Sequence, residues 1–297
     1  MRSLYFLIIL SFTLTSCASQ TYHLSNQLNE ISGIENLSRG TFLALNDSGD
    51  DPVVYIMKSD GVVFHKMFIS GAKNVDWEDL SFDGDFLYIG DIGNNRNQRK
   101  DLMVYRVSIN NFSTRAEPLL GYYYMDGELN HHFPDTIKAE SYVLSYPDQM
   151  SFPPEQSLMN FDSEALAYAD GKLLILSKDR AKPYKGICKI YEADFFNEKG
   201  GKKSLEVKLL QEIQLKGTSW LTGSVTGCDY LNNKLYVLTY KRLYIFERRK
   251  DQFELLQQKN LGPLQQWEGI CVDSEEQIRI VAEKSRLGKQ KMKIIKL

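Results

Sequence analysis

Asp76-Trp77-Glu78-Asp79-Leu80 and, six residues on, Phe86-Leu87-Tyr88-Ile89-Gly90-Asp91 decide the fold, because the same two-part pattern returns along the chain. Each copy opens a short strand on a Glu followed by Leu or Ile, and an apolar second strand follows after a turn. The other copies are Glu30-Ile31-Ser32-Gly33-Ile34 with Phe42 to Leu45, Glu164-Ala165-Leu166 with Leu173 to Leu176, and Trp267-Glu268-Gly269-Ile270 with Ile278 to Val281. A fifth, Val225-Thr226-Gly227-Cys228 with Leu235 to Leu238, carries Thr226 where the others carry Glu. Aligned on Glu30, Glu78, Glu164, Thr226 and Glu268, the copies lie 48, 86, 62 and 42 residues apart.

Third and fourth strands follow in most units, the second unit's fourth strand being read at Tyr142 to Ser145. Units of roughly 40–50 residues with four short strands are the mark of propeller blades. The expected class is therefore all-β: a β-propeller of five four-stranded blades, or six if the 86-residue interval hides another. An insertion near residues 112–135 accounts for that interval in the five-blade reading. The last unit has only three strands before Leu297. A strand within His23 to Leu28 would supply its fourth, close the ring and remove two free sheet edges. No amphipathic helix longer than two turns is legible.

Composition agrees with one large folded domain over residues 27–297. The chain has 297 residues, 43% hydrophobic and 25% charged, which excludes disorder and a multi-span membrane protein. The net charge of -2 offers no basic surface for nucleic acid. Four cysteines in a chain of this length exclude a disulfide-built scaffold.

Residues 1–16 read as a signal peptide. Arg2 gives a positive start, and Leu4 to Leu14 is almost wholly apolar, too short for a spanning helix. Leu14-Thr15-Ser16-Cys17 resembles a bacterial lipobox, in which the Cys takes a thioether-linked lipid and, commonly, a fatty acid such as palmitate. The expectation is a lipoprotein lipidated at Cys17, with residues 17–26 as lipidated Cys and tether. The domain is then extracytoplasmic, held on a bacterial membrane at the periplasmic face or cell surface. A cleaved signal with a chance Cys is the alternative. Cys188, Cys228 and Cys271 remain, an odd number, so at least one thiol is unpaired.

In a propeller, the start of each inner strand and the turn after each second strand meet at one face. That places Glu30, Glu78, Asp79, Glu164 and Glu268 in an inner ring, with Asp47 and Asp91 in the adjoining turns. Crowded carboxylates repel and need a cation, donors or a raised pKa. Glu30, Asp47, Glu78, Asp91, Glu164 and Glu268 are the candidate metal ligands. An oxygen-only set without His or Cys suits Ca²⁺ or Mg²⁺. The opposing reading makes each Glu an acceptor of backbone N–H groups from the next blade, a lock on the ring. Asp91, Asn94, Asn95, Arg96, Lys178, Arg180, Lys241 and Arg286 are the candidate ligand-binding residues, the basic ones matching phosphate or carboxylate oxygens. Solvated loop charges are the alternative for that rim. The His131-His132 pair in the insertion reads as polar surface, and Trp77 and Trp267 as packing between blades.

Asn46-Asp47-Ser48-Gly49, Asp76-Trp77-Glu78-Asp79, Gly90-Asp91-Ile92-Gly93-Asn94-Asn95, Tyr146-Pro147-Asp148 and Asp162-Ser163-Glu164-Ala165-Leu166 together resemble an extracytoplasmic bacterial β-propeller family. It is common among lipoproteins and similar to phytase-like and SdiA-regulated propellers. The resemblance covers residues 27 to 297, and Thr226 departs from its acidic pattern. It implies a cell-envelope propeller with calcium as its cofactor, binding a small anionic ligand or an envelope protein partner as a monomer. The alternative, since some relatives are labelled phosphoesterases, is a metal-dependent phosphoesterase of the phytase-like kind. In that case Glu78, Asp79, Glu164 and Glu268 are the catalytic candidates and Lys178, Arg180, Lys241 and Arg286 would hold phosphate.

Overall fold

A computed structural model describes residues 20–38, 40–109, 122–125, 128–131, 133–197 and 203–297. The signal segment, Cys17, residues 112–121 of the insertion and His132 lie outside these. The chain enters as β1 (Thr21–His23). The first blade is β2 (Ile31–Ser38), β3 (Thr41–Asn46), β4 (Val53–Lys58) and β5 (Val63–Ser70). The second is β6 (Asp79–Phe82), β7 (Phe86–Asp91), β8 (Met103–Ser108) and, beyond a hairpin of β9 (Tyr122–Met125) and β10 (Glu128–His131), β11 (Thr136–Val143). The third is β12 (Asp162–Ala169), β13 (Lys172–Lys178), β14 (Ile187–Asn197) and β15 (Lys203–Gln214). After the single turn α1 (Trp220–Gly223), the fourth is β16 (Val225–Leu231), β17 (Lys234–Thr239), β18 (Arg242–Arg249) and β19 (Gln252–Asn260). The fifth holds β20 (Trp267–Ser274), β21 (Gln277–Ala282) and β22 (Lys291–Lys296).

Within each blade the strands pair antiparallel in sequence order. The inner strands touch in cyclic order: β2 on β6, β6 on β12, β12 on β16, β16 on β20, and β20 on β2. The fifth sheet takes its outer strand from the start of the chain, with Thr21 opposite Lys293 and His23 opposite Lys291. The expected position was a few residues too late. Asn26–Leu28 is a 3-10 turn, and Leu28 is a fully buried plug. The fourth strand of the second blade also lies earlier than read, at Thr136–Val143. The 86-residue interval is one blade with a hairpin inserted between its third and fourth strands.

The middle strands show why the pattern was legible. Thr41–Asn46 is buried at every position, as are Leu87–Asp91, Leu173–Lys178, Leu235–Thr239 and Ile278–Ala282. A blade is covered on both faces by its neighbours, so its middle strands are buried at nearly every position and mostly apolar rather than alternating. Core clusters accordingly sit between blades. Leu45, Val54, Trp77, Leu80 and Ile89 join the first two, and Tyr236, Leu238, Trp267, Ile270 and Ile280 join the last two. Trp77 and Trp267 thus serve as blade-to-blade packing. Among the described residues, no helix is long and apolar enough to cross a membrane, and Cys188, Cys228 and Cys271 are all free and buried.

Candidate functional site

Four inner strands open on a β-bulge at the same place. The pairing slips at Ser32, Glu164, Thr226 and Glu268, each opposed by no residue on the second strand. A bulge re-aims one side chain, and here it turns each of these residues toward the axis. Glu78 holds the equivalent position, since Asp79 after it pairs with Gly90 as Ala165 pairs with Leu176. The register corrects the sequence alignment at the first blade. Ser32, not Glu30, stands with Glu78, Glu164, Thr226 and Glu268. Glu30 is two residues earlier, in the place of Asp76, Asp162, Ser224 and Gln266. Facing that tier, at the ends of the second strands, are Asp47, Lys178, Tyr240 and Glu283.

The charges converge. Carboxylate oxygens of Glu78, Asp162 and Glu164 lie within 4.8 Å of one another, all three residues buried. Lys178 Nζ is 2.7 Å from Glu164 Oε2, and Arg180 reaches Asp162 Oδ2 at 2.5 Å and Glu164 Oε1 at 3.0 Å. Tyr240 donates its hydroxyl to Glu268 Oε1 at 2.9 Å, and its ring lies under Lys178 Nζ at 5.3 Å. Carboxylates outnumber these two cations. Burial, with Glu164, Asp76 and Asp162 adding repulsion, holds Glu78 well above the usual carboxylate range. Burial and neighbouring acids push Asp47 up to about 7, Glu268 to about 7 and Glu283 to about 8. This acidic end of the ring of inner strands, its mouth, is therefore where burial and mutual repulsion keep several carboxyls above their usual range.

Gly93 shapes this centre by having no side chain. A Cβ there would come 2.2 Å from Glu78 Oε1 and 2.4 Å from Asp76 Oδ2. The rest of its loop is a staple between the second and third blades. Asn94 donates its backbone N–H to Asp162 Oδ1 at 2.6 Å and its amide to Phe161 O at 3.1 Å, while its Oδ1 accepts Gln98 N–H and Arg99 N–H. Asn94 is therefore a buried loop-former rather than a ligand-facing residue. Asp91 accepts Arg99 Nη1 at 2.9 Å and the backbone N–H of Asp76 at 3.0 Å, which fixes the segment that carries Glu78 into β6.

The lock between blades falls to residues other than the ring Glu. Ser32 donates its hydroxyl to Glu78 O, and Thr226 to Trp267 O at 2.6 Å. Asp79 accepts Leu80 N–H at 2.9 Å and Leu166 N–H at 2.9 Å, and Asp229 accepts Val272 N–H at 2.6 Å. Asp79 is thus a structural acceptor one residue below the cluster, not a member of it. Asp229, Glu35 and Cys271 form a separate group farther along the inner strands; burial and the nearby Asp229 raise Glu35 well above the usual range.

Lys178 is no rim residue: it is 3% exposed and spent on the acidic centre. Arg180 likewise faces inward, its guanidinium also meeting exposed Asn95. Lys241 is tied to Gly262 O, and Arg96 and Arg286 are exposed at the surface away from these contacts. Asp76, Asp162, Tyr240, Glu283 and Arg99 were missed. Asp76-Trp77-Glu78 and Asp162-Ser163-Glu164 carried a usable signal, an acid two residues before the ring Glu and so on the same strand face.

The sequence matches no protein-family model and no curated protein. Among solved structures the chain is similar to a glutaminyl cyclase from Myxococcus xanthus, with 11% identity over 93% of this chain and 94% of that one, at a TM-score of 0.49. It is similar to a gluconolactonase from Xanthomonas campestris, with 9% identity, 91% and 73% coverage and a TM-score of 0.44. The Cps50 β-propeller domain of Myceliophteria thermophila gives 11% identity, 94% and 100% coverage and a TM-score of 0.41. The fold rests on the strand pairings above, and no activity is transferred from these proteins.

Proposed function

We propose that this chain is a lipid-anchored cell-envelope propeller that binds a divalent cation, Ca²⁺, at the acidic mouth of its ring of inner strands and a small anionic ligand beside it. The observation that carries the reading is the buried trio Glu78, Asp162 and Glu164, with oxygens within 4.8 Å of one another. Lys178 and Arg180 neutralise only part of the surrounding charge. The donor set is all hard oxygen, as Ca²⁺ prefers, and the Gly93 backbone leaves Glu78 Oε1 and Asp76 Oδ2 the space a side chain would fill. Glu78, Asp162 and Glu164 would hold the ion, with Asp76 at the edge, and the ion would supply charge neutralisation and polarisation of ligand oxygens.

Calcium titration with thermal melting tests this. At 100 times its dissociation constant a ligand stabilises by about 2.7 kcal/mol, which millimolar Ca²⁺ should approach. Glu78→Gln should reduce that gain without weakening the metal-free fold, because the acids nearest it repel it. Calcium-independent melting of the wild type would reject the cation site. The same titration with a panel of phosphate esters addresses the alternative, a metal-dependent phosphoesterase of the phytase-like kind. Calcium-dependent phosphate release lost in Glu78→Gln would assign it. Anchoring rests on Leu14 to Cys17, and a fatty-acid analogue should label the wild type but not Cys17→Ser. A soluble, unlabelled wild type would remove the anchor from the reading.

A further inference from the structure

A cavity of about 460 Å³ opens beside the acidic mouth and shares Arg180 with it. One wall is the segment ending at Met159, held against the turn after β13 by Arg180 N–H to Met159 O and Lys182 N–H to Gln156 O, both 2.9 Å. The other is Thr218, Ser219 and Trp220, at the start of α1. Thr222 braces that wall, its hydroxyl oxygen accepting Thr218 N–H at 3.2 Å. Trp220 is 50% exposed, while Trp77 and Trp267 are 0% and 3% exposed. An indole half in solvent on a concave wall offers a flat face for another ring, at the cost of leaving apolar surface wet until one arrives.

Arg180 gives the cavity its polar end. Its Nε is taken by Asp162 and its Nη2 by Glu164 and Asn95. Among the described residues Nη1 makes no hydrogen bond, so two N–H donors remain on a guanidinium whose orientation three partners already fix. Lys182, exposed on the same lining, adds a second positive charge. An oxyanion is the partner this pair suits.

We propose that this cavity binds an aromatic ligand bearing a phosphate or similar compact oxyanion, the ring against Trp220 and the oxyanion on Arg180 Nη1 with Lys182 beside it. The proposal names the ligand class for the face read above as the binding end, and it rests on that reading.

The test is a titration of the full chain with phenyl phosphate in EDTA, read by tryptophan emission and by calorimetry, with phenol and inorganic phosphate as separate arms. Phenyl phosphate should quench emission and bind more tightly than either arm. Trp220→Ala should weaken it about tenfold, the factor that ~1.4 kcal/mol of ring contact supplies. Trp220→Phe should abolish the quench but keep the heat, and Lys182→Gln should weaken phenyl phosphate while leaving phenol unchanged. All three substitutions fall on exposed side chains outside the ion-paired centre. Equal binding by Trp220→Ala, inorganic phosphate binding as tightly as phenyl phosphate, or no binding by the wild type would each overturn the proposal. Calcium is absent, so its failure is distinguishable from that of the cation site. Calcium stabilisation without phenyl phosphate binding overturns only this proposal, and the reverse overturns only the cation reading.

Discussion

Replacing Glu268 by Gln should make the protein more stable at pH 8 and leave it unchanged at pH 4. Burial raises the Glu268 carboxyl from 4.5 to about 7, against the pull of Lys178. The sign follows from linkage. Below pH 4 the group is protonated in both folded and unfolded chains and contributes no difference. As pH rises toward 7 the unfolded chain ionises freely, the folded one does not, and stability is lost. Above 7 the loss is complete. The interval from 4.5 to about 7, at ~1.36 kcal/mol for each pH decade, sets a ceiling of about 3 kcal/mol. Partial exposure and the shared titration with Asp47 and Glu283 bring the expectation to about 1–3 kcal/mol. Gln keeps an oxygen for the Tyr240 hydroxyl, so the acceptor role survives. Melting curves of wild type and Glu268→Gln in EDTA, from pH 4 to 8.5, should coincide at the acid end and separate by roughly 2–12 °C at the alkaline end. A constant offset across the range, or a variant less stable at pH 8, would refute the assignment of a raised pKa to Glu268.

Lys178→Met should destabilise by about 3–5 kcal/mol, because it strands the buried Glu164 carboxylate, and adding Glu164→Gln should recover part of that loss in denaturant titrations. Asp79→Asn should cost about 1–3 kcal/mol, since the amide offers only one oxygen for the two backbone N–H groups the carboxylate now accepts; unchanged stability would remove its locking role. Deleting residues 20–23 should bare the edge of β22 and lower the melting temperature by several degrees, at about 2–4 °C per kcal/mol, and an unchanged curve would show that the strand adds nothing to closure.

The repeat was readable because a blade buries both faces of its middle strands. Leu235 to Leu238 and Ile278 to Val281 announce themselves as apolar runs whatever surrounds them. The bulge was not readable, and it caused the misplacement of Glu30. One inserted residue shifts the face on which a side chain lies, and Glu30-Ile31-Ser32 fits an acidic repeat until pairing of Ile31 with Asn46 fixes the register. Lys178 and Arg180 looked like rim charges for a related reason. Their sequence neighbours place them in a turn, but only the third dimension shows Glu164 and Asp162 drawing them inward. Asn94 shows the reverse error, a polar loop residue whose donors and acceptors are consumed in holding the loop shut.

The outer strand of the fifth blade also sets a direction. His23 lies opposite Lys291, and Lys291 opposite Ala282, at the end of the sheet where Glu268 follows the buried Trp267 into the acidic mouth. Thr21, opposite Lys293, is farther from that end, so the chain arrives from the far side of the disc. A lipid on Cys17 would be joined to Thr21 by four residue steps, at most about 14 Å of extended chain. So short a leash would leave little freedom to tumble. It would hold the disc with its back toward the bilayer and its mouth turned outward, sampling solutes from the aqueous side.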